Sequence, residues 1–185
     1  MNDTTKHIMK RYTCRDFYDN PLADDLIETL VEAALAAPSA QNLQPWHVSV
    51  VTDKKLIEKI DAATLEELAN LEDKMYFDRI TERGGKVLYD APCLIAVSAP
   101  PEAVWAPIDC GILCQNVVIA AESMGLGSCI VGLLRMPFDG KHGEEFKKLL
   151  QFPDGYEFVI SILVGKVKTG KPPHDLDRSK VSYIK

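Results

Sequence analysis

The chain lacks a run of about 20 predominantly apolar residues, the length a bilayer-spanning helix needs. Its most apolar stretch, Gly111 to Leu134, is interrupted by Gln115, Asn116, Glu122 and Ser123. Met1 to His7 carries no apolar segment of the kind that marks a secretory signal. A soluble cytoplasmic protein is therefore expected. Histidine is scarce, and His7, His47, His142 and His174 share no motif with an acid or a cysteine. That leaves no basis for a Ser-His-Asp triad or a metal centre. The cysteines are few and odd in number: Cys14, Cys93, Cys110, Cys114 and Cys129. Most sit in apolar segments, which reads as buried free thiols in a reducing compartment, not a disulfide framework. Cys110 and Cys114 would share a helix face, but a closed zinc site needs four ligands and no others lie nearby. A surplus of positive charge is also missing. The net charge of −6 argues against general nucleic-acid binding.

What is present describes a globular chain. Of 185 residues, 46% are apolar and 26% charged, enough for a single domain over 1–185 with its own core. Charge is unevenly placed. Residues 166–185 carry six Lys/Arg against Asp175 and Asp177, a basic tail of +4 on a body of −10. A second basic cluster, Lys6, Lys10, Arg11 and Arg15, lies near the N-terminus. If the two ends meet they form a local anion site; otherwise each is a solvated patch.

Hydrophobic spacing sets out the elements. A short helix is expected over 3–12. Leu26, Ile27, Leu30, Val31, Ala34 and Leu35 recur at helical spacing from Ala23 to Ala37, and Pro38 stops that helix. Trp46 to Thr52 reads as a strand, followed by a helix capped by Asp53 and running to about Leu68. Residues 71–90 are charged, broken by Gly84-Gly85, and open to reading as a lid. Pro92 to Ser98 is continuously apolar, the pattern of a strand buried on both faces. Pro107 suits the first turn of a long apolar helix ending near Gly125. Strands at 128–133 and 156–166 flank a helix at 143–150, and Val181 to Ile184 is a possible edge strand. The result is a sheet covered by helices.

Three segments carry polar chemistry. In Lys10-Arg-Tyr-Thr-Cys-Arg15, the side chains of Arg11, Thr13 and Arg15 would project to one side of an extended segment and clamp a phosphate. On these residues alone, a plain basic surface patch is the simpler reading. In Ala37-Pro-Ser-Ala-Gln-Asn-Leu-Gln-Pro-Trp46, a proline-restrained loop presents a hydroxyl and three amides, suited equally to holding a ligand or to satisfying its own backbone. Gly125-Leu-Gly-Ser-Cys-Ile-Val-Gly132 looks like a dinucleotide fingerprint, but its third glycine is two residues late and a helix precedes it. Helix cap followed by strand explains Gly125 but not Gly132, whose missing side chain would let a flat ligand approach the backbone. With no acid–base constellation visible, an enzyme of this sequence needs a cofactor for its chemistry.

Taken together and in this order, the three segments resemble the FMN-dependent nitroreductase family. The pairing of Arg11-x-Thr13-x-Arg15 with Pro38-Ser39-x-x-Asn42-x-Gln44-Pro45-Trp46 carries the resemblance, supported by the Gly-Leu-Gly turn and the strand to Gly132. It spans nearly the whole chain and is weakest over 55–90. The resemblance implies an α+β fold, a mixed central sheet flanked by helices, in an intertwined homodimer with FMN sites at the subunit interface. Arg11 would contact the FMN phosphate, with Tyr12 and Thr13 close to the phosphate and ribityl chain. Arg15 would face the flavin pyrimidine, where negative charge gathers on reduction. Pro38, Ser39, Ala40 and Asn42, with Gln44 beside them, would come from the other subunit. Ile130, Val131 and Gly132 would lie against the ring, the Gly132 N–H bonding flavin N5 as the catalytic contact. Arg178 and Lys180 would close the phosphate site from the basic tail, which would reach the partner subunit. Lys86 is the nearest match to a lysine that the family places near the pyrimidine, one residue out of step.

The implied activity is NAD(P)H-dependent reduction of nitroaromatics, quinones or other electron-poor acceptors by a ping-pong mechanism, without a metal. Related flavoenzymes of the reductive dehalogenase or flavin-degrading type, or a non-catalytic flavin-binding module, are the alternatives. The sequence does not choose between NADH and NADPH. It assigns no role to Tyr76, Phe77 or Trp105, for which core packing is the ordinary explanation.

Overall fold

A computed structural model describes residues 1–185. In chain order it contains α1 (Asp3–Lys10), α2 (Asp24–Leu35), β1 (His47–Val51), α3 (Lys54–Asn70), α4 (Met75–Glu82) and β2 (Cys93–Ala99). These are followed by α5 (Ala106–Ser123), β3 (Gly127–Val131), α6 (Arg135–Asp139), α7 (Gly143–Leu149) and β4 (Glu157–Gly165). Short 3-10 turns occupy Ala40–Asn42 and Arg178–Lys180.

The strands form one sheet in the order β1-β2-β4-β3, and all three ladders are antiparallel. A single parallel bridge, Thr13 to Ser128, is the parallel component. Every residue of β2 is buried, as its unbroken apolar run requires of a strand covered on both faces. Its side chains alternate between two cores. Cys93, Ile95 and Val97 meet Leu30, Leu113 and Val117 of α2 and α5. Leu94 and Ala96 meet Ile60, Phe138 and Phe146 of α3, α6 and α7. The molecule is thus an α+β sandwich, with the sheet between α2/α5 and the α3/α6/α7 layer.

Local chemistry accounts for the element ends. The Asp53 carboxylate caps α3, accepting from the N–H groups of Lys55 and Leu56. Gly125, in the left-handed region at φ 73°, ends the turn after α5. Residues 71–90 contain α4 and are anchored to the core by Ile80, Val87 and Leu88. Val181–Ile184 pairs with no strand and stays exposed, so the edge strand expected there does not form. β-propensity alone holds no strand where the tail is not laid along an edge of the sheet.

Candidate active site

The segment after α1 is built by its backbone. Arg11 leaves the helix at φ −56°, ψ 135°. The Cys14 N–H then donates to the Ser128 carbonyl at 2.9 Å, next to the parallel bridge from Thr13. Phe17 bridges Val167, and the N–H groups of Tyr18 and Lys168 donate to Lys166 and Asp16 at 2.9 and 3.0 Å. The N-terminal segment is therefore laid between β3 and the start of the basic tail. Gly127 makes this seam possible. A Cβ there would sit 2.7 Å from Val167 Cγ2 and 2.9 Å from both Cβ and Sγ of Cys14.

Cys14 and Phe17 point into the core, while Arg15 points out. Along this outer side runs a cavity of about 300 Å³ lined by Tyr12, Thr13, Arg15, Asp16, Arg83, Thr169, Gly170 and Lys171. The two basic ends of the sequence meet here. Three cations face one acid, and Asp16 is itself approached by Lys168 at 3.9 Å. Burial raises the Tyr12 phenol and the Cys14 thiol above their ordinary pKa values, helped at Tyr12 by the nearby Cys14 and Glu122. Both therefore stay protonated at neutral pH. Lys10 is turned away to Glu122 on α5, at 3.1 Å.

Sequence reasoning missed Arg83 and Lys171. No motif marks either. Arg83 sits at the C-terminal cap of α4, and Lys171 follows the tail segment pinned by Phe17. Arg178 and Lys180 lie exposed in their 3-10 turn and do not line the cavity. Lys86 is not brought to it either. It is ion-paired with Asp90 in a separate cavity shared with Asp19, Lys54, Glu58 and Asp61. There Asp61 accepts the Leu88 N–H at 2.6 Å, and burial holds its carboxyl above the usual range. Tyr76 and Trp105 are exposed, and Phe77 packs on the core.

From Ser128, β3 leads to Gly132, about 13 Å further along at strand spacing. Val131 is buried, its carbonyl held by the Ser161 hydroxyl at 2.7 Å, but Ile130 is 42% exposed. A Cβ on Gly132 would meet a single atom within 4 Å, Ile160 Cδ1 at 3.7 Å. The protein itself does not fill the space over this glycine. An exposed isoleucine beside a bare backbone is a surface for a flat apolar ring.

The Pro38–Gln44 loop is exposed except at the half-buried Ser39 and Ala40, and it lines no part of the Arg15 cavity within one chain. Three of its residues, Gln41, Asn42 and Gln44, are left-handed, with φ of 53°, 57° and 46°. The Ser39 hydroxyl accepts the Gln44 N–H at 2.9 Å, and the Gln44 amide donates to Asn42 Oδ1 at 3.0 Å.

The donor chemistry fits FMN. Guanidinium, ammonium and hydroxyl groups suit its phosphate and polar edge, and Ile130 with Gly132 suits its ring. No group of three or more His, Cys, Asp or Glu is placed to hold a metal.

Comparison with known proteins agrees. A nitroreductase with bound FMN from Desulfitobacterium hafniense is 44% identical, with a TM-score of 0.97 and each chain fully covered. An FMN-dependent nitroreductase from Clostridium difficile is 31% identical, with a TM-score of 0.81 and 99% of each chain covered. The NADPH-flavin oxidoreductase of Vibrio harveyi is 28% identical over 94% of this chain and 72% of its own. The Nitroreductase family profile matches residues 8–166, and the chain belongs to that family.

Proposed function

We propose that the chain is an FMN-dependent oxidoreductase that takes reducing equivalents from NADH or NADPH. It passes them to electron-poor acceptors such as nitroaromatics or quinones, with donor and acceptor using one open face in turn. The observation that carries this reading is the bridge between Thr13 and Ser128. It ties the segment that carries Arg15 and its cationic cavity to the strand that leads to the bare Gly132. Bound FMN supplies the hydride chemistry. Arg11, Tyr12 and Thr13 hold its phosphate and ribityl chain, with Arg178 and Lys180 contributing from the tail. Arg15, joined by Arg83 and Lys171, opposes negative charge at the pyrimidine edge, an effect strengthened where water is excluded. Ile130 and Val131 support the ring, and the Gly132 N–H is the donor to N5. Lys86, engaged by Asp90, is left out of this set.

The active form we propose is a homodimer. Trp105, Ile108 and Ile112 form an exposed apolar stripe along the start of α5, the feature of a helix that another surface covers. Pro38, Ser39, Ala40, Asn42 and Gln44 then enter the partner's flavin site. Five free, buried cysteines favour the cytoplasm, and no helix is long and apolar enough to cross a membrane.

The test is the visible spectrum of purified, desalted protein, followed by anaerobic addition of NADH and of NADPH. A yellow protein bleached by either nucleotide is expected. A protein that stays colourless after FMN is supplied overturns the proposal.

A further inference from the structure

The Pro38–Gln44 loop holds an unfavourable backbone. Left-handed φ values at three non-glycine residues persist only where the surroundings over-determine them. Most of the hydrogen bonds in this loop are internal to it: Ser39 to Gln44, Gln44 to Asn42, and the 3-10 turn itself. One side-chain bond reaches it from another element. Asp109, in the first turn of α5, accepts the Ala40 N–H on Oδ1 at 3.1 Å across 69 residues of sequence. Asp109 is 4% exposed, yet no lysine, arginine or histidine pairs with it. A buried, unpaired carboxylate is costly unless it is hydrogen-bonded and its charge is otherwise compensated. The N-terminal turn of an 18-residue helix supplies that compensation.

We infer that Asp109 is a positioning residue for the flavin site, fixing through the Ala40 N–H the loop conformation that presents Ser39, Asn42 and Gln44. This rests on the reading above that the loop contributes to the flavin site. The aspartate would act at a distance, touching neither flavin nor substrate. Because its anchor is the first turn of α5, it would also tie the loop to the helix whose outer stripe is proposed to meet the partner. Cofactor geometry and subunit contact would then share one hinge point.

The test compares Asp109→Ala, Asp109→Asn and Ala40→Pro, reading the FMN dissociation constant of the apoprotein, the visible circular dichroism of bound flavin and the apoprotein melting temperature. Ala40→Pro removes the N–H from the loop side. Ser39, at φ −137° and ψ 159°, already has the extended conformation that a following proline requires. Asp109→Ala and Ala40→Pro are each expected to raise the dissociation constant about tenfold or more, as loss of a bond to a charged acceptor does. Both should alter the flavin dichroism. Asp109→Asn keeps an acceptor oxygen and should stay within about threefold of the parent. The Ala40→Pro, Asp109→Ala double variant should be no weaker than the weaker single one, because both remove the same bond.

Parental affinity and dichroism in Asp109→Ala would overturn the inference. So would an Asp109→Asn variant as weak as Asp109→Ala, since charge and not the hydrogen bond would then be the cause. Should Asp109→Ala not fold, Asp109→Leu, which keeps the buried volume and removes the acceptor, takes its place, and parental affinity and dichroism in that variant would overturn the inference. A parent protein that takes up no FMN removes the functional reading and the inference together. A parent that binds FMN and loses it on Arg11→Ala, beside an unaffected Asp109→Ala, removes the inference alone.

Discussion

Gly127→Ala adds one methyl group at the seam where the N-terminal segment, β3 and the tail converge. The new carbon would lie 2.7 Å from Val167 Cγ2 and 2.9 Å from Cys14 Cβ and Sγ, against about 3.5–4.0 Å for relaxed carbon contacts. Neither neighbour is free to retreat. Cys14 is tied to Ser128 by its own N–H at 2.9 Å, and Val167 is bridged to Phe17. Overpacking of this kind costs about 1–3 kcal/mol. At about 2–4 °C per kcal/mol for a chain of this size, the melting temperature should fall by about 2–12 °C. Because the same seam places Thr13 and Arg15, FMN affinity should fall with it. Val167→Ala in the Gly127→Ala background removes the shortest contact and should recover part of both losses. Thermal melts with and without FMN, together with a flavin titration, make the measurement. A Gly127→Ala protein that melts within about 1 °C of the parent and holds FMN equally well would refute the steric argument.

Other outcomes follow from the same geometry. Arg11→Ala should weaken FMN binding about tenfold or more through loss of a charge-assisted phosphate contact; unchanged affinity would remove Arg11 from the phosphate clamp. Burial raises the Asp61 carboxyl above its unfolded pKa. Its linked stability is therefore full below the unfolded carboxylate range and is lost as pH rises through the raised value. At pH 7 Asp61→Asn, still able to accept the Leu88 N–H, should match or exceed the parent in chemical denaturation. Asp61→Ala should lose about 1–3 kcal/mol, and the reverse order would contradict the assignment. Burial pushes the thiols of Cys93, Cys110 and Cys114 up to about 12 and that of Cys129 up to about 11. At pH 8 a thiol-exchange reagent should leave the folded protein nearly untouched and titrate all five thiols in denaturant; rapid reaction of the native protein would show the core to be open. Sedimentation should give a dimer, and a monomer that retains FMN would contradict a site shared between subunits.

The elements with strong periodicity or an unbroken apolar run were legible from the residues alone. α2, β2, α5 and β4 each lie within about two residues of their expected limits. α6 was not, because five residues around Pro137 carry no helical repeat to read. α4 was hidden by its charge, and one buried residue, Ile80, holds it to the core. At the candidate site, Arg11 to Arg15 were legible because one short extended segment carries them. Arg83 and Lys171 were not, since lone basic residues in charged surroundings become notable only when folding brings them to Arg15. Lys86 shows the converse. The resemblance sets it beside the flavin although its spacing is one residue out of step, and within one chain it is ion-paired with Asp90 and lines another cavity.

The strand order has a consequence for how the protein is made. β4, synthesised after the other three strands of the sheet, lies between β2 and β3, so the sheet cannot close until residue 165 has been translated. Until then β2 and β3 each present an unpaired apolar edge, the surface on which nascent chains join one another. Folding is therefore governed by contacts distant in sequence, which makes it slow. The exposure of those edges to aggregation lasts from the synthesis of β2 to the arrival of β4.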